Sequence, residues 1–517
     1  MKCSTMTLVV AVGAVWTAAV AAADPPPRVD MRVIPSRSAL HPGGANNSSP
    51  LTPRNRPRPD AFGGNGGGRP GGGGTTWTDP VVQASYPAPF AATLLRSSEG
   101  IGSDGVAPPD TNVAVGDTQV IEIVNVEFAV YDKTGTQLTA PAPIHSIFAG
   151  LGGMCETNDG GDPIVLFDQQ AHKWFVSQLE YNSNFSSNLL CTAVSTGPDA
   201  ITSGWYLYEW DFGSDLPDYP KIGAWSDAYY FSANMFWMGS FFLAADACAL
   251  DRNAMINFQP ATGVCFSSSS ASLLPASADG ATPPNAGEPG FYLRLNGSSG
   301  VTLYRFHVDF VNTNNSTFTG VNLPVAAIHQ ACGGRTCVPQ PGTSQQLDSL
   351  GDRLMYRLSY RNFGTYESLL VNHSVQIRSS NNQTGVRWYE IRNPNGAPTV
   401  TQQSTFAPDT TRYRWMGSIA QDKQGNMLLG YSASSASLFP SIGYSGRLAT
   451  DPTNQLSGEF VNTFGTGSQT LNRWGDYSSM AVDPVDDCTF WYANEYLVTT
   501  GNSWHTRIES LKFPGCQ

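Results

Sequence analysis

Charged and aromatic residues recur at the starts of short apolar segments along most of the chain. They are Asp110, Asp162, Tyr219, Lys221, Glu288, Asp352, Arg353, Arg414, Trp415, Arg473 and Asp476. Two carboxyl groups facing one substrate can cleave a glycosidic bond as acid and base, or as acid and nucleophile. Arginine forks hold carboxylates, and aromatic faces stack on sugar rings. We therefore take Asp352, Asp476 and Glu288 as candidate catalytic residues, and the others as candidate glycan-binding residues.

A second candidate site surrounds one histidine. His373 shares its segment with four arginines, which are Arg357, Arg361, Arg387 and Arg392. In a polysaccharide lyase, a histidine can remove the proton beside a uronate while arginine neutralises the uronate carboxylate. His373 is thus a candidate base and Arg361 a candidate binding residue. A strand face carrying a hydrogen-bonded histidine explains the same residues without any catalysis.

The carboxylates also have a structural interpretation, because an aspartate before a tight turn often bonds its own backbone. Asp–Arg pairs can likewise fasten neighbouring repeats together. Two acidic segments, ETNDGGDP (Glu156, Asp159, Asp162) and DPVDD (Asp483, Asp486, Asp487), could supply oxygen ligands to calcium. Neither has the spacing of a known calcium loop, so we predict no metal site, with calcium as the alternative.

A long repeat must bring these scattered residues together. Each unit has a polar start, a short apolar strand, a turn that usually contains Asp, and a second strand rich in aromatic or β-branched residues. Seven units begin near Asp110, Asp162, Tyr219, Glu288, Asp352, Trp415 and Asp476, at steps of 52 to 69 residues. Such a repeat predicts an all-β fold, a seven-bladed β-propeller with four-stranded antiparallel blades.

The last unit lacks a strand. The segment from Val81 to Leu95 could supply it and join the two ends of the ring. The competing fold is a pair of β-sandwiches, which would show closely spaced strands without the long repeat.

Domain boundaries follow from composition. Residues 1–23 have the basic, apolar and small-residue order of a secretory signal peptide. Residues 24–76 are rich in Pro and Gly and predict a disordered linker, so the propeller domain should span residues 77–517. No later stretch predicts a membrane span. We expect a secreted or periplasmic protein, and a monomer.

Cysteine usage agrees with export. Of nine cysteines, Cys3 lies in the signal segment, and eight remain. An even number favours disulfides, although many pairings are open. Sequential pairing is our prediction, since each bridge then closes a short loop: 155–191, 248–265, 332–337 and 488–516. A zinc site is the alternative, but it usually shows tight CxxC pairs, which this sequence lacks.

Charge narrows the range of partners. The formal net charge is −12, and an acidic surface repels phosphate backbones. We therefore expect extracellular polysaccharide as partner, and no nucleic acid.

Several units, among them GDPIVLFD, YPKIGAW, YRWMGSIAQDKQGNMLLGYS and RWGDYSSMAVDPVDDCTFWYANEY, resemble a group of secreted bacterial β-propeller proteins of unsettled function. The resemblance covers most of residues 105–517. These proteins are loosely similar in architecture to sialidases, which carry Asp boxes of the form S-x-D-x-G-x-T-W. The chain has no such box, and IAQDKQGNML lacks the Thr-Trp ending. The resemblance therefore implies the propeller fold and transfers no catalytic residue.

Together these patterns predict a secreted propeller that engages extracellular glycan at the mouth of its central channel, as a glycoside hydrolase or polysaccharide lyase. A non-catalytic propeller that binds protein or glycan at the cell surface is the alternative. Two titratable groups facing one pocket favour an enzyme. Carboxylates held in salt bridges favour a binding module.

Overall fold

The computed structural model of the chain describes residues 29–41 and 76–517. The predicted signal peptide, residues 1–23, lies outside these ranges. The described residues are almost entirely strands and turns, with two short α-helices, α1 (Met154–Thr157) and α2 (Arg252–Ile256). Single turns of 3-10 helix occur at Ile144–Phe148, Thr313–Asn315 and Ala331–Gly334. The all-β class is confirmed. In the part of the chain described, no helix is long and apolar enough to cross a membrane.

Three strands precede the repeats: β1 (Val29–His41), β2 (Val82–Gln83) and β3 (Thr93–Gly102). Group one follows with β4 (Asn112–Val115), β5 (Gln119–Val124), β6 (Glu127–Asp132) and β7 (Ala142–Pro143). Group two has β8 (Ile164–Asp168), β9 (Lys173–Tyr181), β10 (Asn188–Ser195) and β11 (Trp205–Asp211). Group three has β12 (Asp215–Ala224), β13 (Ala228–Trp237), β14 (Phe241–Asp251) and β15 (Thr262–Ser268).

Group four has β16 (Leu274–Asp279), β17 (Gly290–Asn296), β18 (Gly300–His307) and β19 (Thr317–Pro324). An inserted hairpin, β20 (Thr336–Val338) and β21 (Leu347–Asp348), comes next. Group five has β22 (Met355–Asn362), β23 (Glu367–Gln376), β24 (Thr384–Arg392) and β25 (Thr399–Phe406). Group six has β26 (Tyr413–Gln421), β27 (Met427–Ser434), β28 (Ser441–Arg447) and β29 (Phe460–Thr463). Group seven has β30 (Ser479–Val482), β31 (Thr489–Tyr496) and β32 (His505–Lys512).

Within each group, consecutive strands pair antiparallel, and two further contacts merge groups into nine-stranded sheets. Strand β1 lies along the outer edges of groups two and three, pairing with β11 and β15. Strands β16 and β22 pair parallel and so connect groups four and five.

Strand β3, which precedes group one in the chain, supplies the fourth strand of group seven. Strand β3 pairs antiparallel with β32, from Thr93 opposite Lys512 to Gly102 opposite His505. The closing strand predicted near residues 81–95 therefore lies slightly later in the chain. The earlier β2 pairs instead with β25.

The first strands of the groups contact one another in a cycle. In chain order, each first strand contacts the first strand of the next group: β4, β8, β12, β16, β22, β26 and β30. The last of these, β30, contacts β4 again. The approach is close enough to require glycine at one crossing. A Cβ on Gly223 of β12 would lie 2.0 Å from the carbonyl oxygen of Ala276 in β16.

Aromatic side chains fill the space between groups. Trp174, Trp210, Trp225, Trp388 and Trp504 are all fully buried. Strands such as β22, β27 and β31 are buried on both faces, because neighbouring groups cover each side. Burial of this kind explains why their sequences are rich in aromatic and β-branched residues rather than strictly alternating.

The four predicted disulfides are confirmed. Cys155 bonds Cys191, Cys248 bonds Cys265, Cys332 bonds Cys337 and Cys488 bonds Cys516.

Two expectations need correction. Residues 29–41, inside the predicted linker, form strand β1, whose ladder to two outer edges offsets the weak apolar character of the segment. The fourth group begins at β16, and not near Glu288, which lies between β16 and β17. The segment LPASAD has no aromatic residue, so its role as a first strand is hidden in the sequence.

We expect deletion of residues 93–102 to abolish the cooperative thermal transition, because group seven then loses its outer strand and the cycle loses the ladder between β3 and the last strand, β32. Deletion of residues 24–41 removes β1 alone and serves as the control. That variant should melt at a lower temperature with one sharp transition. A cooperative melt of the first variant at the wild-type temperature would contradict the closure.

Candidate functional site

We call the end of the cycle at which each first strand begins the leading end, and the other the trailing end. At the leading end, side chains from several groups meet in a cluster of buried polar residues. The central cluster comprises Asp110, Asp162, Tyr219, Lys221, Arg353 and Tyr477. They come from groups one, two, three, five and seven. The predicted convergence of Asp110, Asp162, Tyr219, Lys221 and Arg353 is therefore present in the structure.

An unusual backbone conformation places the first three of these residues. Asp110, Asp162 and Tyr219 have φ values of +50°, +48° and +57°, in the left-handed region that few non-glycine residues occupy. Asp110 and Asp162 lie just before β4 and β8, and Tyr219 lies in a β-bulge of β12. The bend turns each side chain toward the centre of the cycle.

Two of the carboxylates fasten neighbouring groups. Asp162 Oδ2 accepts a hydrogen bond from the backbone N–H of Tyr219 at 3.2 Å. Asp110 Oδ1 accepts one from the N–H of Asp476 at 2.7 Å. Tyr477 donates its hydroxyl to the Pro163 carbonyl at 3.0 Å. These bonds join group two to group three, group seven to group one, and group seven to group two.

Lys221 is the cation at the centre. Its ammonium lies 3.5 Å from the ring centroid of Tyr219 and 4.0 Å from that of Tyr477, and donates to the Pro220 carbonyl at 2.9 Å. Complete burial lowers the pKa of Lys221 to about 7, and the charges of Asp162 and Asp110 oppose this shift. Cation–π contacts and two carboxylates are thus its main electrostatic partners.

The remaining charged candidates at this end form ion pairs. Arg353 donates two hydrogen bonds to the Asp352 carboxylate, at 2.8 and 3.0 Å. Its guanidinium lies 4.7 Å from the Tyr219 ring centroid. Arg473 pairs with Asp476 at 2.7 Å. The predicted catalytic residues Asp352 and Asp476 are therefore engaged with arginine.

Arg414 and Trp415 do not join the central cluster. Arg414 bonds Glu459 at 2.7 Å and also bonds Asp409, all within group six and its loops. Trp415 is fully buried against Trp474, with 5.7 Å between ring centroids. The hairpin of β20 and β21 lies beside the segment that contains Trp474, because the N–H of Asp348 in β21 donates to the Asn472 carbonyl. A buried indole offers no face to a ligand.

Glu288 lies at the trailing end. It follows the end of β16, and burial together with the nearby Glu367 raises its pKa. Arg361 is at the same end, where it holds Asp487 with two bonds of 2.9 and 2.7 Å. Neither side chain meets the central cluster, because Glu288 lies in the loop after β16 and Arg361 lies near the end of β22.

His373 is fully buried inside strand β23. Its Nε2 lies 3.0 Å from the hydroxyl of Tyr389, and burial and the positive charge of Arg387 hold its pKa well below the usual range. Arg387 in turn pairs with Asp79 at 2.7 Å. The structure thus places His373 in a core hydrogen-bond network rather than in a lyase site.

The centre of the cycle is almost filled. A cavity of about 30 Å³ is lined by the first strands of five groups, with Val113, Val165, Ser277, Tyr356 and Ser479 among its walls. That volume holds about one water molecule. A larger ligand therefore does not fit in this central cavity.

An acidic patch lies at the leading end beside group one, and of its members only Asp159 was among the residues that the sequence analysis singled out. It consists of Asp104, Glu127, His145 and Asp159. His145 Nδ1 lies 2.6 Å from Asp159 Oδ2. The pKa of Asp104 is raised to about 7, mainly by burial and to a smaller extent by the charges of Glu127 and Asp159, while a hydrogen bond from the Val106 N–H opposes the shift. The carboxyl of Glu127 also has a raised pKa, from burial and from Asp159.

Asn125 connects this patch to the central cluster. Its Oδ1 accepts the N–H of Asp162 at 2.8 Å, and its amide donates to the Pro108 carbonyl at 2.9 Å. Glu127 follows two residues later at the start of β6. The acidic patch and the central cluster are thus neighbours at the leading end.

The aspartates of the two acidic segments accept hydrogen bonds or ion pairs from their own turns and from neighbouring loops. Within residues 29–41 and 76–517, no three His, Cys, Asp or Glu side chains are grouped so as to hold a metal ion. Asp486 Oδ1 accepts the N–H groups of Cys488 and Thr489, and Asp483 pairs with Lys133 at 2.7 Å. These aspartates fasten turns and loops.

A larger cavity, of about 560 Å³, lies on the outer edge of group five. Gln402, Gln403, Asn454 and Gln455 line it together with residues 81–85. Several of these amides already bond one another: the N–H of Gln403 donates to Asn454 Oδ1 at 2.8 Å. None of the predicted site residues lines this cavity.

Comparison with known proteins identifies no family. The sequence matches no protein-family model and no curated protein. Among solved structures, an α-L-arabinanase from Penicillium chrysogenum is similar at 8% identity and TM-score 0.31, over 86% of this chain and 100% of that one. An ulvan lyase is similar at 11% identity and TM-score 0.33, over 83% and 97%. An exo-β-1,3-galactanase from Clostridium thermocellum is similar at 9% identity and TM-score 0.29, over 80% and 98%.

We expect Lys221→Met to lower the free energy of unfolding by about 3 kcal/mol, because Asp110 and Asp162 then stay buried without their cation. Denaturant unfolding followed by fluorescence measures the loss. The control is Arg37→Ala, which removes an exposed pair with Glu209 and should cost about 1 kcal/mol or less. Equal stability of the two variants would show that Lys221 does not neutralise this cluster.

Proposed function

We propose that the strand groups are the seven blades of a closed β-propeller. Four observations support this: the antiparallel groups, the cycle of contacting first strands, the shared wall of the central cavity, and the pairing of β3 with β32. Closure buries the faces of every sheet and leaves only short edges. The seven units found in the sequence, at steps of 52 to 69 residues, agree with this number of blades.

We infer that the protein is exported. The order of residues 1–23 and the four disulfides support this, since disulfides persist in oxidising compartments. Its ligand is then extracellular.

We propose that the leading end binds extracellular glycan. The observation that carries this proposal is the convergence there of polar and aromatic side chains from five blades, above an axis too narrow for a ligand. Arg473 and Asp352 are partly exposed at this mouth. Hydroxyl-rich ligands suit a surface of carboxylates, amides and guanidinium groups, while the net charge of −12 disfavours phosphate-rich ones.

Binding without cleavage is the form of this function that the geometry supports best. Of the four residues predicted to be catalytic, Asp352 and Asp476 are paired with arginine, and Glu288 and His373 lie elsewhere. In both pairs the arginine lies within the same strand group and already occupies oxygens of the carboxylate that a substrate would have to reach.

A direct test is to titrate purified protein with neutral, uronate and sialic-acid glycans, and to compare two ion-pair variants. Arg473→Ala at the leading end should weaken binding about tenfold. The variant also removes the arginine paired with the buried Asp476, so its melting temperature should fall, and binding is measured below that transition. Lys512→Ala, which removes a similar partly exposed pair with Asp486 at the trailing end, should bind like the wild type. Absence of binding to every glycan, or equal affinity in both variants, would contradict the proposal.

Hydrolysis at the acidic patch is a second candidate function, favoured by the raised pKa of Asp104 beside two other carboxylates. A protonated Asp104 can donate its proton to the glycosidic oxygen as the bond breaks. Glu127 or Asp159 can accept a proton from the attacking water, so that water is added across the bond.

The acid must carry its proton, so we expect any hydrolytic activity to fall as the pH rises above about 7, the pKa of Asp104. Release of reducing ends measures it, and absorbance of unsaturated uronates detects a lyase. Asp104→Asn should abolish the activity while leaving the protein folded. Activity that persists in this variant with the same pH profile would rule out the acidic patch as the catalytic site.

A further inference from the structure

Two aromatic side chains project from the hairpin that joins β13 to β14. Trp237 is 48% exposed and Phe241 is 64% exposed, and their ring centroids lie 5.8 Å apart at an interplanar angle of 41°. Leu243, on the same strand as Phe241, is 51% exposed. Large apolar side chains grouped in this way on a surface usually mark a binding site.

Buried aromatic side chains support the hairpin on the side facing the protein. Phe236 and Phe242 point inward and pack together at 5.6 Å between ring centroids. The ring of Phe185, in the neighbouring β9–β10 turn, lies so close to Gly239 that a Cβ there would be 2.7 Å from it. Phe185 in turn stacks on Tyr181 at 4.8 Å. The exposed rings therefore rest on a packed base, which reduces the ordering cost of binding.

The hairpin lies at the leading end. Trp237 is paired with Asp215 at the beginning of β12, and Tyr219 and Lys221 follow further along the same strand. The β9–β10 turn is at this end too, since Leu179 donates its N–H to the carbonyl of Gly161, just before the start of β8. The exposed rings and the central cluster therefore share one end of the molecule.

The charge of the residues around the two rings favours neutral ligands over anionic ones. The adjoining tips, residues 181–187, 211–216 and 236–243, contain asparagine, serine and the carboxylates Asp211 and Asp215, but no Lys or Arg. Arg32 of β1 lies 5.0 Å from the ring centroid of Phe212, and its charge is paired with Asp246. Surfaces that bind anionic lipid need basic residues, and so do sites for sulfated or uronate chains. Amides, hydroxyls and carboxylates instead hydrogen-bond to sugar hydroxyls, while the apolar C–H faces of pyranose rings pack against aromatic rings.

We propose that Trp237 and Phe241 form an aromatic platform that binds a neutral polysaccharide chain and leads it toward the central cluster. The proposal rests on the glycan-binding function of the leading end and adds to it the class of ligand. Neutral chains bind through stacking, and anionic chains are repelled by Asp211 and Asp215.

The test compares two double variants of the full protein. Trp237→Ala/Phe241→Ala removes the platform, and Val311→Ala/Val485→Ala removes two exposed apolar side chains at the trailing end as a control. The probes are soluble β-glucan, xylan, galactan and arabinan as neutral chains, and alginate and polygalacturonate as anionic ones. Affinity electrophoresis and titration calorimetry measure binding.

We expect the platform variant to lose about tenfold or more in affinity for neutral chains at an unchanged melting temperature, and the control to bind like the wild type. The wild type should bind anionic chains more weakly than neutral ones. Wild-type affinity in the platform variant, with binding still weakened by Arg473→Ala, overturns the platform and leaves the glycan-binding proposal intact. Failure of the wild type to bind any chain overturns both.

Two other occupants of the platform are checked with the same proteins. Sedimentation measures self-association, and flotation with phosphatidylcholine vesicles measures lipid binding. A wild type that dimerises or binds vesicles, when the platform variant does neither, would assign the rings to that contact and overturn the proposal.

Discussion

A four-stranded sheet with apolar residues on both faces is stable only when other sheets cover it. Strands β22, β27 and β31 are buried on both faces, so each group depends on the groups at either side. The first and last groups meet this requirement only if the chain ends meet. The pairing of β3 with β32 brings them together. None of the four disulfides does so, because each links residues at most 36 positions apart. Closure therefore depends on backbone hydrogen bonds and packing.

Closure also explains why charges are buried at the leading end. The first strands approach so closely that their starting residues face one another across the axis. Asp110 and Asp162 each accept a backbone N–H from another group, and Lys221 lies between two tyrosine rings beside them. Such a network costs much desolvation, and it is favourable only if every group contributes its part. It fixes the relative positions of the strand groups that it joins.

The sequence predicted the parts of this structure that repeat. Asp110, Asp162, Tyr219, Asp352, Trp415 and Asp476 lie at or just before first strands, because a polar start followed by an apolar strand is a local pattern. The disulfide pairs could be predicted for a similar reason, since each closes a short loop. The fourth group was placed wrongly at Glu288 because its true first strand, β16, carries small residues and lacks the aromatic pattern.

Local pattern could not reveal the direction of side chains or the contacts between distant loops. His373 and Trp415 have the residue types of a site, but the packing of neighbouring sheets buries both. Asp104 lies between β3 and β4 and Glu127 at the start of β6, and the effect of Glu127 on the pKa of Asp104 exists only in the folded chain. Trp237 and Phe241 have the same residue types as buried strand positions, and only the length of the β13–β14 hairpin carries them into solvent.

Native-state hydrogen exchange of residues 93–102 and 505–512 tests the closed ring most directly. If β3 and β32 are paired as the account requires, the amides that bond across the two strands exchange only through global unfolding and share its free energy. Rapid exchange throughout β3, while the amides of β31 and β32 stay protected, would show that the chain ends do not meet and that the groups do not close into a ring.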